Sequence, residues 1–334
     1  MKLPALLTSD LHLTAKPRDE YRWELFPWML KEIQQHRIKT VVILGDITDA
    51  KDYHSADLVN RIVSNIVAIS KVVEEVIILM GNHDYLGDVP FFSFLSSIPR
   101  IKFISSIIKD SEHSLDYLFL PHTRTPKKDW SQIRMEYYDF VFMHQTVSGA
   151  IASNGQSMQG EMDGSMSGPQ IQIYSGDIHV PQDIGDVRYI GSPYHVHFGD
   201  AFVPRVLMLD HEGEEKQLHF PSIKRVTLKG DQKEVEMELL FLKPHDQIKI
   251  RLDLAPEDRA RWDTIKRELS DFCTNGGVEL HGIELVPRIV RKILLPQARQ
   301  IASQTDHAES VTRFVVREDL GGDVLETGLD LVKK

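Results

Sequence analysis

Five short apolar stretches in the N-terminal part of this chain are each followed at once by carboxylate, imidazole or amide side chains. The stretches are residues 3–8, 40–44, 75–80, 139–143 and 171–175. Runs of this length that alternate with helix-patterned segments predict a layered α/β fold, with much of the sheet buried on both faces. The carboxyl ends of strands in such sheets form ligand crevices, so we expect the polar residues that follow the stretches to converge.

The chemistry of these polar residues indicates a metal centre. They are Asp10, His12, Asp46, Asn82, His144, Asp177 and His179. Carboxylate, amide and imidazole donors suit Mn²⁺, Fe²⁺ or Zn²⁺, and this set offers no thiolate. Residues two apart on an extended chain, such as Asp10 and His12, point the same way and can bind one ion. The pattern is typical of a binuclear hydrolytic site.

One helix carries a regular apolar stripe. Residues 55–71 and a position two residues beyond them place apolar side chains on one helical face: Leu58, Ile62, Ile66, Ile69 and Val73. Packing of this stripe against the sheet is one interpretation. A helix–helix contact between subunits is the other.

The chain is predicted to have three parts. Residues 1–222 would form the main domain and 223–300 a smaller α/β domain. In the smaller domain, a strand at 247–254, a helix at 255–274 and a strand at 278–286 suggest a βαβ pattern. Residues 301–334 would form a C-terminal helical segment.

Composition limits the setting in which the protein works. A net charge of -10 argues against a protein that coats nucleic acid by bulk electrostatics. It leaves a nuclease open, because bound metal ions supply local positive charge. The single cysteine, Cys273, fits a reducing compartment. No stretch approaches the roughly 18 apolar residues of a membrane span. We therefore predict a cytoplasmic protein (in the host cytoplasm if phage-encoded) without membrane contact.

The order of the motifs DxH, GDxxD, GNHD, H and GxH is similar to that of the calcineurin-like metallophosphoesterase superfamily. Within it, the chain resembles the SbcD-type DNA break-processing nucleases and their phage relatives. Three features carry this resemblance: Asp10-Leu11-His12-Leu13, His144-Gln145 and Gly191-Ser192-Pro193. The resemblance implies a layered metallophosphoesterase β-sandwich flanked by helices, with a smaller α/β capping domain.

The resemblance also implies roles for individual residues. A first ion would be held by Asp10, His12, Asp46 and His179, and a second by Asp46, Asn82, His144 and Asp177. Paired ions of this kind activate water and stabilise the attacking and leaving oxygens of the phosphate. His83 corresponds to the family's general acid or transition-state stabiliser. Asp49 corresponds to an acid that orients this histidine.

The fifth motif departs from the family pattern. It usually reads GHxH, and this chain has Gly176-Asp177-Ile178-His179. If Asp177 binds the second ion, the site carries three carboxylates, which favours Mn²⁺, with Mg²⁺ as the alternative, over Zn²⁺. If Asp177 points away, the second ion binds loosely.

These features predict a Mn²⁺-dependent DNA nuclease, a homodimer that works with an SbcC-like ATPase subunit. A phosphatase or small-molecule phosphodiesterase of the same superfamily is the alternative, and a non-catalytic scaffold is a third possibility. The apolar side chains of segment 301–334 need a surface to pack on. That surface is either the coiled-coil base of the ATPase or the chain's own small domain.

Overall fold

The computed structural model describes residues 1–165 and 171–286. Within them the strands are β1 (Ala5–Thr8), β2 (Thr40–Ile43), β3 (Glu75–Leu79), β4 (Tyr85–Leu86), β5 (Val89–Pro90), β6 (Ile101–Ile104), β7 (Ile108–Glu112), β8 (Leu115–Leu120), β9 (Phe140–His144), β10 (Gln172–Gly176), β11 (Gln182–Ile184), β12 (Val187–Tyr189), β13 (Val206–Leu209), β14 (Glu215–Leu218), β15 (Arg225–Gly230), β16 (Gln247–Asp253) and β17 (Glu279–Val286). The helices are α1 (Leu25–His36), α2 (Ala56–Ser70), α3 (Pro126–Asp129), α4 (Gln232–Leu239) and α5 (Trp262–Asn275). Shorter 3₁₀ helices lie at Pro17–Glu24, Phe91–Ser97, Met135–Tyr137 and Pro256–Arg261. Among the helices of the described residues, none is both long and apolar enough to cross a membrane.

Two six-stranded mixed sheets form the main body. The first has the order β14-β13-β1-β2-β3-β6 and the second the order β11-β12-β10-β9-β8-β7. In the first sheet, β1, β2, β3 and β6 run parallel, as β8, β9, β10 and β12 do in the second. The predicted α/β class, with mixed sheets flanked by helices, is confirmed.

The two sheets share a core because successive side chains of a strand point to opposite faces. In the first sheet, Leu7 and Val42 are buried in one apolar cluster with Phe119 and Phe142 of the second sheet. Their neighbours along the strands, such as Leu6, face the other way and pack with α1 and α2. Helices therefore cover the outer face of the first sheet.

The apolar stripe of α2 packs inside the chain. Ser55 caps this helix, because its hydroxyl accepts a hydrogen bond from the amide of Leu58 at 3.2 Å. All the stripe residues are buried in the cluster between the helices and the first sheet. The interpretation of the stripe as packing against the sheet is therefore confirmed, and nothing of it is left exposed for a subunit contact.

A three-stranded parallel sheet follows the main body. Strands β15, β16 and β17 lie in that order, and α4 and α5 are the crossover helices between them. The helix predicted at 255–274 begins with the 3₁₀ helix Pro256–Arg261 and continues as α5. The structure does not test the division at residues 222 and 300, so it stays a prediction. The C-terminal segment 301–334 lies outside the described residues.

The small sheet is tied to the main body by a buried arginine. Arg225, at the start of β15, donates a hydrogen bond to Asp19 at 2.6 Å and another to the side chain of Gln247. Asp19 also pairs with Arg22, which donates to the main-chain carbonyl of His12. Burial raises the pKa of Asp19, but Arg22 and the hydrogen bond from Arg225 outweigh this and hold the pKa below its usual value. A network of buried charges thus connects β15 with the DxH motif.

Candidate metal centre

The predicted ligands come together where strands of both sheets end. β1, β2 and β3 of the first sheet and β9 and β10 of the second end beside one another. His12 Nε2 lies 2.9 Å from His179 Nε2 and 3.6 Å from one oxygen of Asp46. The other oxygen of Asp46 lies 3.4 Å from His144 Nε2. Asp46 therefore faces two groups of ligands, as a shared ligand would.

Backbone conformation aims several of these side chains inward. Asp10, His12, Asp46 and Asp177 all have positive φ, of 53°, 42°, 56° and 81°. Left-handed backbone is uncommon for residues with a side chain, and it persists where the surrounding structure enforces it, often at functional sites. Here the amide of Asp10 donates to the carbonyl of Gly45, and the amide of His12 donates to the carbonyl of Asp46. The first two ligand loops therefore hold each other in place.

Unpaired polar atoms indicate where ions would bind. Asp10 Oδ2, Asn82 Oδ1 and His144 Nε2 are buried without a hydrogen-bond partner. His144 Nδ1 lies 2.5 Å from the carbonyl of Leu44, so Nδ1 carries the proton and the Nε2 lone pair faces the cluster. A buried polar atom without a partner costs about 1–3 kcal/mol, and ligation of a cation would remove that cost. The donor set therefore fits divalent metal ions.

The electrostatics of the site point the same way. Burial raises the pKa of Asp10 to about 7, and the Asp46 carboxylate adds to this effect. Burial also raises the pKa of Asp46 well above its usual value, with the neighbouring carboxylate of Asp84 as the next cause. Burial lowers the pKa of His179 to about 4. A bound cation stabilises the ionised form of a buried carboxylate, and it binds the lone pair of a neutral histidine.

His83 lies at the mouth of the cluster. Its side chain is 25% exposed, and its Nε2 lies 4.0 Å from an oxygen of Asp46. Its Nδ1 donates to the main-chain carbonyl of Asp49 at 2.8 Å. The orienting contact therefore differs from the predicted one, because the carbonyl of Asp49 makes it and the carboxylate does not. That carboxylate lies 3.9 Å from both His12 Nδ1 and Lys16 Nζ, and its catalytic role stays a prediction.

Comparison with known proteins agrees with this geometry. Residues 3–181, more than half of the 334-residue chain, match the family of calcineurin-like phosphoesterases. The chain belongs to this family. It is a metal-dependent phosphoesterase whose Asp and His residues form the clusters described above. No curated protein matches the chain.

Two solved structures are distantly similar to this phosphoesterase. A novel archaeal phosphodiesterase is 15% identical, with 65% of this chain and 100% of that chain covered, at a TM-score of 0.37. The Pseudomonas putida nuclease MPE is 14% identical, with 64% and 87% covered, at a TM-score of 0.31. Likenesses this distant do not bear on the substrate.

Asp177, which departs from the usual family motif, turns toward the second group of ligands. Its Oδ1 lies 3.8 Å from His144 Nε2 and accepts a hydrogen bond from Asn82 at 3.2 Å. Its Oδ2 accepts a hydrogen bond from the hydroxyl of Thr146. This orientation favours the interpretation of Asp177 as a ligand over the one in which it points away. Ligation itself stays a prediction.

Replacing Asp177 by histidine tests that interpretation. We expect Asp177→His to keep phosphoesterase activity but to shift the metal preference from Mn²⁺ toward Zn²⁺, because imidazole is a softer donor than carboxylate. Activity after reconstitution with each metal, together with affinities from titration calorimetry, measures the shift. An unchanged metal profile would mean that Asp177 does not bind the second ion.

Asp84 is a residue of the site whose role the sequence did not predict. Its buried carboxylate accepts hydrogen bonds from the amides of Asp46 at 2.8 Å, Ile47 at 3.0 Å and Gly81 at 2.8 Å. These amides belong to the loops after β2 and β3, so Asp84 fixes both loops. The GNHD motif was the available signal, but a sequence does not distinguish an acid that binds backbone from one that binds metal.

We expect Asp84→Asn to lower the free energy of unfolding by about 1–3 kcal/mol, because an amide group would face a backbone N–H that has lost its acceptor. Denaturant unfolding of the metal-free protein measures this change. Asp52→Asn is the matched control, since Asp52 is exposed and the same substitution there should cost less than about 0.5 kcal/mol. Equal effects at the two positions would contradict the role given to Asp84.

Two further histidines flank the ligands and were also missed. The ring of His197 lies 5.4 Å from that of His179, and the ring of His122 lies 6.1 Å from that of His144. His122 is also hydrogen-bonded to the hydroxyl of Tyr85 at 3.0 Å. His197 follows the Gly191-Ser192-Pro193 turn closely in the sequence, which was the only local signal for it.

Proposed function

We propose that this phosphoesterase is a Mn²⁺-dependent nuclease that hydrolyses phosphodiester bonds of DNA. The observation that carries the proposal is the position of the SbcD-like turn Gly191-Ser192-Pro193. The amide of Ser192 donates to the carbonyl of His179 at 3.0 Å. Gly191 has φ 76°, and a Cβ there would lie 2.7 Å from the same carbonyl. One of the three sequence features that resemble this branch of the family thus supports a ligand loop directly.

The acidic character of the ligand set supports Mn²⁺ as the metal. Asp10, Asp46 and Asp177 contribute three carboxylates, and Asn82 adds a further oxygen donor. Oxygen donors of this kind suit Mn²⁺ and Mg²⁺ better than Zn²⁺. Bound at this site, two such ions would supply an activated water and would neutralise charge on the phosphate.

His83 supports a catalytic function over a scaffold. The Nδ1 of His83 carries a proton, which it donates to the carbonyl of Asp49. A second proton on Nε2 would therefore make the ring a positively charged imidazolium. Burial lowers the pKa of His83, and the hydrogen bond to that carbonyl opposes the shift. The side chain is 25% exposed, so an imidazolium here could give its Nε2 proton to a leaving oxygen. A binding scaffold would have no use for a proton donor held in this way.

Three substrates separate the candidate functions. We expect the purified protein with Mn²⁺ to hydrolyse linear DNA and bis(p-nitrophenyl) phosphate, and to lose both activities in EDTA. The His83→Ala protein, purified in the same way, controls for contaminating nucleases. Hydrolysis of p-nitrophenyl phosphate alone would indicate a phosphatase. Hydrolysis of the diester without cleavage of DNA would indicate a small-molecule phosphodiesterase, and no turnover at all would indicate a scaffold.

We also propose that the protein is a homodimer and binds an SbcC-like ATPase subunit through segment 301–334. This rests on the family resemblance and on the apolar residues of that segment, which lies outside the described residues. Light scattering measures the oligomeric state. Deleting residues 305–334 should remove association with the ATPase in a pull-down and leave metal binding and basal activity intact. A truncated protein that unfolds would contradict the assignment of the segment to a partner.

A further inference from the structure

A groove of about 670 Å³ lies between the loop 195–203 and the small parallel sheet. Phe198, Phe202 and Val203 line one side of it, and Leu228 and Phe241 line the other. The groove is distinct from the metal centre, and none of the predicted ligands lines it. It therefore needs an explanation of its own.

Two apolar side chains of the groove are unusually exposed. Phe241, which follows the end of α4, is 75% exposed, and Val203 across the groove is 71% exposed. A large aromatic ring exposed to this degree at the edge of a concave surface is typical of a binding site. The groove therefore presents a ring on which a flat apolar group could stack.

The exposed charges around the groove are mainly positive. Lys224 and Lys229 line it, and Lys249 Nζ lies 4.9 Å above the ring of Phe198. Glu238 is the exposed acid of the lining. The other acid, Asp200, is buried, and its Oδ2 accepts hydrogen bonds from backbone amides. On a chain with a net charge of -10, this surface suits an anionic ligand.

One loop connects the groove with the metal centre. His197, whose ring lies 5.4 Å from that of His179, immediately precedes Phe198 in the loop. The loop is well fixed, because Asp200 accepts hydrogen bonds from the amides of Val196 at 2.7 Å and His197 at 2.8 Å. The loop that lines one side of the groove therefore begins beside the metal centre.

We propose that this groove binds a single-stranded segment of a nucleic acid, with a base stacked on Phe241 and phosphates beside Lys224 and Lys229. The proposal rests on the nuclease function proposed above and extends it to the form of the substrate. Single strands are bound where aromatic rings alternate with cations, because every base can stack and every phosphate is charged. A duplex keeps its bases stacked inside and would leave Phe241 unused.

The test compares adjacent exposed residues of the same chain. Phe241→Ser and Leu240→Ser are each placed in the full-length His83→Ala protein, and binding of fluorescein-labelled oligo(dT) is measured by anisotropy with Mn²⁺. We expect Phe241→Ser to weaken binding about tenfold, because stacking on one aromatic ring contributes that much. Leu240 is 65% exposed and lies outside the groove lining, so Leu240→Ser should have no effect. Phe241→Tyr keeps the ring and should keep the affinity.

The lysines provide an independent measurement. Lys229→Gln should reduce the slope of log affinity against log salt concentration by about 0.7, which is the contribution of one phosphate contact in a single strand. Lys243→Gln is the matched control, because Lys243 is exposed but outside the groove lining. An unchanged slope for Lys229→Gln would contradict a phosphate contact at this residue.

Three outcomes would overturn the groove assignment. The first is that Phe241→Ser and Leu240→Ser bind oligo(dT) with equal affinity. The second is that Phe241→Ser weakens the binding of blunt duplex DNA as much as the binding of oligo(dT). The third is that oligo(dT) fails to bind before any groove residue is substituted. Hydrolysis of bis(p-nitrophenyl) phosphate by Leu240→Ser in the otherwise wild-type chain reports on the metal centre alone and should equal that of the wild type, because Leu240 lies outside the groove lining. A wild-type protein that hydrolyses this diester but cleaves no DNA would instead overturn the nuclease function.

Discussion

Replacing His83 by alanine is expected to lower kcat on bis(p-nitrophenyl) phosphate by about 10²–10⁴-fold, the usual contribution of a positioned general acid. Both metal ions should stay bound, because the predicted ligands are other residues. Steady-state kinetics with Mn²⁺ measures the first effect. Elemental analysis of the dialysed protein measures the second.

The control for this substitution is His113→Ala, since the His113 side chain is 78% exposed on the turn between β7 and β8. It should leave both kcat and metal content unchanged. Loss of one ion from the His83→Ala protein would mean that His83 binds metal, and its role as a proton donor would then be wrong.

Replacing Asp46 by asparagine is expected to lower activity by at least about 10³-fold, since the change removes a shared charged ligand worth several kcal/mol. It should also make the metal-free protein more stable. Burial and the nearby Asp84 raise the pKa of Asp46, so its ionised form is unfavourable in the absence of cations. The melting temperature should therefore rise in EDTA while the stabilisation by added Mn²⁺ is lost.

Calorimetric scans with and without Mn²⁺ measure both parts of this prediction. Asp88→Asn is the control, because Asp88 is exposed on the turn between β4 and β5. It should respond to Mn²⁺ as the wild type does. If Asp46→Asn is still stabilised by Mn²⁺ to the wild-type extent, Asp46 does not bridge the two groups of ligands.

Much of the main body was predictable because its signals are local. A β-branched run followed by Asp, His or Asn marks both a strand and a ligand, and each run at the metal centre is a strand in the structure. The stripe of α2 was likewise readable from its spacing. The positions of β7 and β8 in the second sheet were harder to predict from sequence. They depend on the pairing of β7 with β8 and of β8 with β9, and on the stacking of Phe119 on Phe142.

The roles that were missed depend on contacts between distant parts of the chain. Asp84 binds backbone amides 37 and 38 residues away, and a backbone amide has no sequence signature. His197 is near the metal centre only because the turn after β12 folds back on His179. Asp49 contacts His83 as predicted, but through its main-chain carbonyl and not through its carboxylate. Every residue has such a carbonyl, so the side chain at position 49 did not reveal this contact. Local sequence cannot specify such contacts.

The buried arginine of β15 has a practical consequence for dissecting this enzyme. A shortened chain that ends at residue 222 would remove Arg225 and Gln247 together. Asp19 would lose the 2.6 Å contact with Arg225, and its pairing with Arg22 at 3.3 Å would be the one ion pair left to it beside the hydrogen bond from the Thr14 hydroxyl at 2.8 Å. Arg22 also holds the carbonyl of His12, so the damage would reach the first ligand loop. Poor metal binding by such a fragment would then reflect the cut itself, and residues 1–286 are the better unit to express.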